Sequence, residues 1–257
     1  MVMRIAVVLE LKGVGLWGAG KESFEADTTT YRLMGVKPNG EPVLAIPGPY
    51  FKGLLRTWAY KLAGLLIRGR IVSGTDPAQT GCWIGKTCGD CIICHVFGYS
   101  GCPQGSLFVS YFYPVKREGL NVLKRDLWLK LDIDELPFRL DLLTADLMTT
   151  YLAHVRIDDR SGKAARGGLF INEAIKPGVV FVGEVRLHKT LLSNESHPDR
   201  ALLMAFRLVL LSLAQLNYSF VGRRTRGKVG ILKYELPDFI KEDEVCREVL
   251  RGLEWRS

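Results

Sequence analysis

Cys88, Cys91 and Cys94 stand at two-residue intervals, with Cys82 upstream and Cys102 downstream. Such gaps let thiolates converge on one cation, and four of them close a tetrahedral structural zinc site. The spacing predicts ligation by Cys82, Cys88, Cys91 and Cys94. Cys102 and His95 are the other choices for the fourth position, and an iron–sulfur cluster is the other occupant. A disulfide framework would spread its cysteines, whereas only Cys246 lies outside this stretch, so the clustering points to metal.

A second chemistry is phosphate binding. IPGPYFKGLLRTWA (46–59) and GRRTRGKVG (222–230) each pair glycine with cations beside a long amphipathic helical stretch. Glycine lets backbone approach a ligand closely, and a helix N-terminus offers unpaired N–H groups to an anion. Gly48, Lys52 and Arg56 are the candidates in the first segment; Gly222, Arg223, Arg224, Arg226 and Lys228 are those in the second. Arginine grips phosphate with two parallel N–H bonds and also stacks on bases. A third basic cluster, Arg156, Arg160, Lys163 and Arg166, surrounds Gly162, Gly167 and Gly168 and precedes the apolar pair Leu169-Phe170. Asp158-Asp159 read as salt-bridge partners of the flanking arginines, and His154 and His188 as strand residues without acid–base company.

These residues need elements to hold them. RIAVVLEL (4–11) reads as a buried strand, and 13–40 as a long polar loop. A helix follows over about 50–68, its core face predicted as Leu54, Leu55, Trp58, Leu62, Leu65 and Leu66, with Pro49 in its first turn. SLFVSYFYPV (106–115) and 179–192 read as strands, with Phe108, Tyr111 and Phe112 assigned to core packing. A second long helix spans about 198–220, the Gly-rich turn 222–230 leads into a last strand at 229–236, and 238–255 reads as a charged surface helix. The order strand, helix, strand, strand, helix, strand is the α+β, ferredoxin-like βαββαβ plan that many RNA-binding domains use. The reading is one domain over 1–257, with a cysteine-rich insertion at 69–104 and an elaboration at about 116–178.

A chain of 257 residues that is 47% hydrophobic is globular and not disordered. No uninterrupted apolar run of about 18 residues is present, and the apolar start carries Glu10 and Lys12, unlike a signal peptide. The expectation is a soluble cytoplasmic protein with no membrane partner. A net charge of +8 favours polyanionic partners.

IPGPYFKGLLRTWA, CGDCIICHVFG, RIDDRSGKAARGGLFINEAIKPG and GRRTRGKVGIL together resemble the RAMP superfamily of CRISPR-Cas proteins. More narrowly, they are similar to the backbone subunits of type III effector complexes. The segments follow one another in the family's order, although GRRTRGKVG carries arginine where the family runs glycine. Pro49-Tyr50 also stands where two small hydroxyl residues are usual. The resemblance implies a palm with a β-hairpin thumb at the third basic cluster, which inserts across a guide–target duplex. Leu169 or Phe170 would then be a wedge against unstacked bases, although a strand packed into the core is the preferred reading for Phe170. It implies CRISPR guide RNA, complementary target RNA and neighbouring copies or paralogous subunits as partners. It also implies that Asp27, the only Asp in the long loop, cuts target RNA with Mg²⁺ or another divalent ion as a metal-dependent endoribonuclease. The alternatives are a non-catalytic structural subunit of the same complex and an unrelated zinc-containing RNA-binding protein.

Overall fold

The computed structural model describes residues 2–18, 20, 23, 26–33, 40–83, 85–101, 105–139, 141–143, 148–188, 197–222 and 225–256. Among them ten strands are defined: Val2–Leu11 (β1), Arg32–Leu33 (β2), Val43–Leu44 (β3), Leu107–Val109 (β4), Tyr113–Pro114 (β5), Thr149–Ile157 (β6), Ala164–Ile175 (β7), Val180–His188 (β8), Phe220–Gly222 (β9) and Thr225–Glu235 (β10). The α-helices are Gly48–Arg68 (α1), Ile92–Phe97 (α2), Gly119–Asp126 (α3), Pro198–Gln215 (α4), Asp238–Lys241 (α5) and Glu244–Leu253 (α6). The result is a mixed α+β protein.

Its main sheet runs β4-β8-β1-β10-β9, with β5 also on β8, and the pairings are antiparallel. β1 lies in the middle and is apolar at nearly every position because both faces are covered. Met3, Ile5, Val7, Leu9 and Leu11 enter the core shared with α1 and α4. Ala6 and Val8 enter the opposite core, with Leu120 and Leu123 of α3, the 3-10 helix Ile133–Phe138 and Trp255. By length and composition the segment Pro198–Tyr218 is long and apolar enough to cross a membrane. Leu202, Phe206, Leu208 and Leu213 instead bury that hydrophobicity in the core of this protein.

α1 begins at Gly48, two residues before the start expected from the sequence, because Pro47 and Pro49 suit a helix start. Its buried face is Gly48, Phe51, Leu55, Ala59, Ala63 and Leu66. The expected face was rotated: Leu65 is 62% exposed, and Leu54, Trp58 and Leu62 only flank the core. Large apolar residues marked the flank, whereas Ala59 and Ala63 belong to the buried face. Full burial of Phe51 or Leu55 stabilises by about 1.5–3 kcal/mol each relative to exposure.

Other expected elements also differ from those observed, among them the second long helix, which ends at Gln215 before a 3-10 turn at Leu216–Tyr218 and β9. The strand over 106–115 is split into β4 and β5, because the chain turns aside at Phe112 to pair with Ile46. Phe112 fills the place a side chain at position 183 would take: a Cβ on Gly183 would lie 2.4 Å from its ring. The last strand begins at Thr225, so Gly227 and Lys228 are strand residues paired with Leu11 and Glu10. Finally, 238–255 forms two helices, and α6 buries Cys246, Leu250 and Leu253.

Candidate nucleic-acid interface and metal centre

The cysteine cluster is assembled by a tight turn and a helix start. Cys91 caps α2, Cys94 lies inside it, and Gly89 takes φ +88° between Cys88 and Cys91. The amides of Asp90 and Cys91 both donate to Cys88 Sγ at 3.4 Å. Cys82 arrives from the segment before the Trp83–Lys86 bridge. All four sulfurs lie within 4.8 Å of one another, with Cys82–Cys94 at 3.6 Å and Cys88–Cys94 at 3.9 Å. Tetrahedral thiolates at ~2.3 Å from one ion stand ~3.8 Å apart, so the spacing fits a single ion. Sulfurs on separate irons of a cluster stand further apart.

Burial pushes the Cys88 thiol up, but hydrogen bonds from Thr80 and the Asp90 and Cys91 amides outweigh it and bring it to about 6. Burial raises Cys91 and Cys94, a penalty that a cation relieves. His95 is exposed on α2 and lines a separate cavity with His197, while Cys102 lies outside the described residues. Cys246 is a core residue beside the Asp243 cap of α6.

At the start of α1, Gly48 is buried, and a Cβ there would lie 2.2 Å from the Val109 carbonyl oxygen. Its missing side chain therefore lets helix and strand meet. Lys52 Nζ donates to the Leu107 carbonyl at 2.7 Å, and burial lowers its pKa, with Arg56 adding to the effect. Arg56 lies over the Tyr60 ring, whose hydroxyl is 3.3 Å from Cys82 Sγ.

β6 and β7 form a separate two-stranded sheet joined by the turn around Asp158, whose Oδ1 accepts from the amides of Arg160 and Ser161. Every residue from 155 to 167 except the half-buried Ala165 is exposed, so the distal hairpin stands clear of the core. Arg156, Arg160, Lys163 and Arg166 all lie on it and are exposed. Leu169 is 64% and Phe170 39% exposed, which corrects the preference for a core Phe170. The Phe170 ring stacks on His154 at 5.1 Å, because its strand belongs to the hairpin and not to the main sheet. Of the other aromatics, Phe112 is buried against Phe51 and Tyr111 stacks on Tyr31 beside the second core, whereas Phe108 is half-buried, edge-on to His188 and outside both cores.

Asp27 sits beside this hairpin. Its N–H donates to the Ile171 carbonyl at 2.8 Å, and its Oδ2 accepts from the Ile171 N–H at 2.5 Å. The carboxylate is exposed. Glu173, Thr30 and Arg32, which sequence reasoning passed over, bind the next part of the loop. Thr30 N–H and Oγ1 each donate to Glu173 Oε2 at 2.9 Å, and Arg32 Nη1 donates to the same oxygen at 2.8 Å. Burial pushes the Glu173 carboxyl up; the Arg32 and Thr30 bonds outweigh it and hold it at about 2. The only sequence signal was an acid among apolar neighbours in a strand.

In the second glycine-bearing segment, Gly222 ends β9, while Arg226 and Lys228 point outward from β10. Arg223 and Arg224 lie outside the described residues. The Arg226 guanidinium lies over the exposed Phe220 ring at 5.8 Å, and Lys228 lies over Trp255 at 4.5 Å. Cation and aromatic edges side by side suit phosphate and base together.

A family model described as RAMP superfamily matches residues 28–233. No curated protein matches the chain.

Proposed function

Because the chain belongs to the RAMP superfamily, we propose that it is a guide-RNA-binding backbone subunit of a type III CRISPR effector complex and that Asp27 cuts the bound target RNA with a divalent ion. The observation that carries this reading is the hairpin of β6 and β7, exposed along its distal part, with its cations and Leu169 at the surface and Asp27 docked on its flank. Cations grip phosphate, and exposed apolar side chains suit contact with unstacked bases. The Asp27 carboxylate supplies a hard oxygen for Mg²⁺, which would stabilise charge at the scissile phosphate.

The sheet order β4-β8-β1-β10, with α1 and α4 packed together, supports a ferredoxin-like palm. On this reading 69–104 is a zinc-bearing insertion, 116–178 contains the thumb, and Zn²⁺ on Cys82, Cys88, Cys91 and Cys94 is structural. Arg226, Lys228, Arg223 and Arg224 would contact the guide, and neighbouring copies or paralogous subunits would extend along it in the cytoplasm. One observation favours the alternative of a non-catalytic subunit. Among the described residues, Asp27 belongs to no group of three or more His, Cys, Asp or Glu side chains that could hold a metal ion.

The test is cleavage of a guide-complementary RNA by the reconstituted complex, with Mg²⁺ and with EDTA, for native Asp27 and Asp27→Ala. The expected result is regularly spaced cuts that need both the metal and Asp27, with target binding unchanged in the variant. Tight binding without such cuts makes the subunit a scaffold, and absence of guide binding overturns both readings.

A further inference from the structure

The flank of β7 from 171 to 175 is paired along its outer edge by the loop after β1. Gly15 exchanges both backbone hydrogen bonds with Ile175, at 2.9 and 2.8 Å. Thr28 bridges Asn172, and Glu173 N–H donates to the Thr28 carbonyl at 2.9 Å. Asp27 exchanges two bonds with Ile171. Unpaired strand edges seek partners, and this loop supplies one from within the chain.

One ion pair, between a buried carboxylate and a half-buried guanidinium, locks the arrangement. Glu173 is 6% exposed, and its two oxygens are taken by Thr30 and by both terminal nitrogens of Arg32. Arg32 belongs to β2, which pairs with β3, and β3 leads directly into α1. Asp27 differs from Glu173 in being exposed, with only Oδ2 in a hydrogen bond among the described residues. Glu173 is therefore enclosed with its own partners and closed to a substrate or cation, whereas the Asp27 carboxylate is open to solvent.

We propose that Glu173 and Arg32 are a positioning pair that fixes Asp27 to the hairpin, so that the RNA strand gripped by the hairpin cations is the strand presented to Asp27. The proposal rests on the cleavage reading above and adds how the site is aligned. Misplacing a reacting group by about 1 Å costs on the order of 100-fold in rate. Neither residue touches RNA in this scheme, so target affinity should not change with the rate.

The experiment uses the reconstituted complex with Glu173→Ala, Arg32→Ala, the double variant and Arg32→Lys. The expected outcome is a single-turnover cleavage rate about 100-fold lower in each alanine variant, with target Kd unchanged. The double variant should be no slower than either single one, because both break one pair. Arg32→Lys, which keeps the charge but not the two-nitrogen grip, should fall between Arg32→Ala and the native complex. Wild-type cleavage by Glu173→Ala, a rate loss that follows lost target binding, or additive single losses would each overturn the proposal. A second readout does not depend on cleavage: amide exchange at Asp27, Thr30 and Ile171 should quicken in Glu173→Ala while β1 amides stay protected. Unchanged protection at those three amides overturns the clamp. If the native complex binds target but never cuts, the cleavage reading fails by itself, and amide exchange alone then decides whether the clamp exists.

Discussion

Asp27 and Glu173 are both carboxylates, and their surroundings give them opposite properties. Asp27 stands in solvent on a loop; Glu173 is sealed between the loop and the hairpin and held ionised by Arg32 and Thr30. Its folded pKa is depressed, from 4.5 to about 2. The stabilisation is therefore complete above the unfolded value and is lost as pH falls from about 4.5 toward 2. A tenfold change in proton affinity is worth roughly 1.4 kcal/mol, so the ionised form contributes on the order of 3 kcal/mol at neutral pH. Thermal melts of the native chain should lose stability across that window more steeply than melts of Glu173→Gln, which has no charge to lose. Parallel pH profiles for the two proteins would show that Glu173 is not held ionised in this way. The chain shows Asp27 as the only Asp of a polar loop, but nothing local marks Glu173. Its partners Thr30 and Arg32 are brought to it across 143 and 141 residues of chain.

Among the elements, the cysteine-bearing turn and α2 were the most legible, since two-residue spacing fixes how thiolates can converge. Cys82 needed the fold, because a turn at Trp83–Lys86 returns the chain to the other three. A structural ion there should appear as about one zinc per chain by metal analysis. Removing it with a chelator should lower Tm, since Cys91, Ile93 and Cys94 are core residues. Cys246→Ala should keep the metal. Iron with visible absorbance, or full stability without metal, would overturn the zinc assignment. α1 was legible in its existence and length, but not in its facing. Gly48, Ala59 and Ala63 carry little hydrophobic signal and still occupy the buried seam, where small size permits close approach.

At the scale of the whole molecule, several of the 35 Lys and Arg side chains are occupied within the fold, and the net charge of +8 remains. Arg4 pairs with Glu184 and Asp132, Arg207 with Asp243, and Lys52 caps a carbonyl of β4. The hairpin cations are differently placed: they are exposed and stand apart from the core. Each phosphate contact on single-stranded RNA releases counterion worth about 0.7 in the slope of log K against log salt. Replacing Arg156, Arg160, Lys163 and Arg166 by alanine should therefore flatten that slope by up to about 3 without changing Tm. An unchanged slope would remove the hairpin from the RNA-binding surface. A large fall in Tm would instead mean that these side chains hold the fold together.

The sequence by itself determined the central strand, the two long helices, the metal-ligand spacing and the three places where cations gather. Those features rest on residues close together in the chain, where hydrophobic period and ligand spacing are local properties. Tertiary structure decided which cations face solvent, which glycines serve packing, and where the strand at 106–115 divides. It also decided that Asp27 lies against the hairpin, with Glu173 and Arg32 locking the loop in place. Those outcomes depend on contacts between distant segments, whose geometry no local pattern encodes until the sheet and its loops have closed.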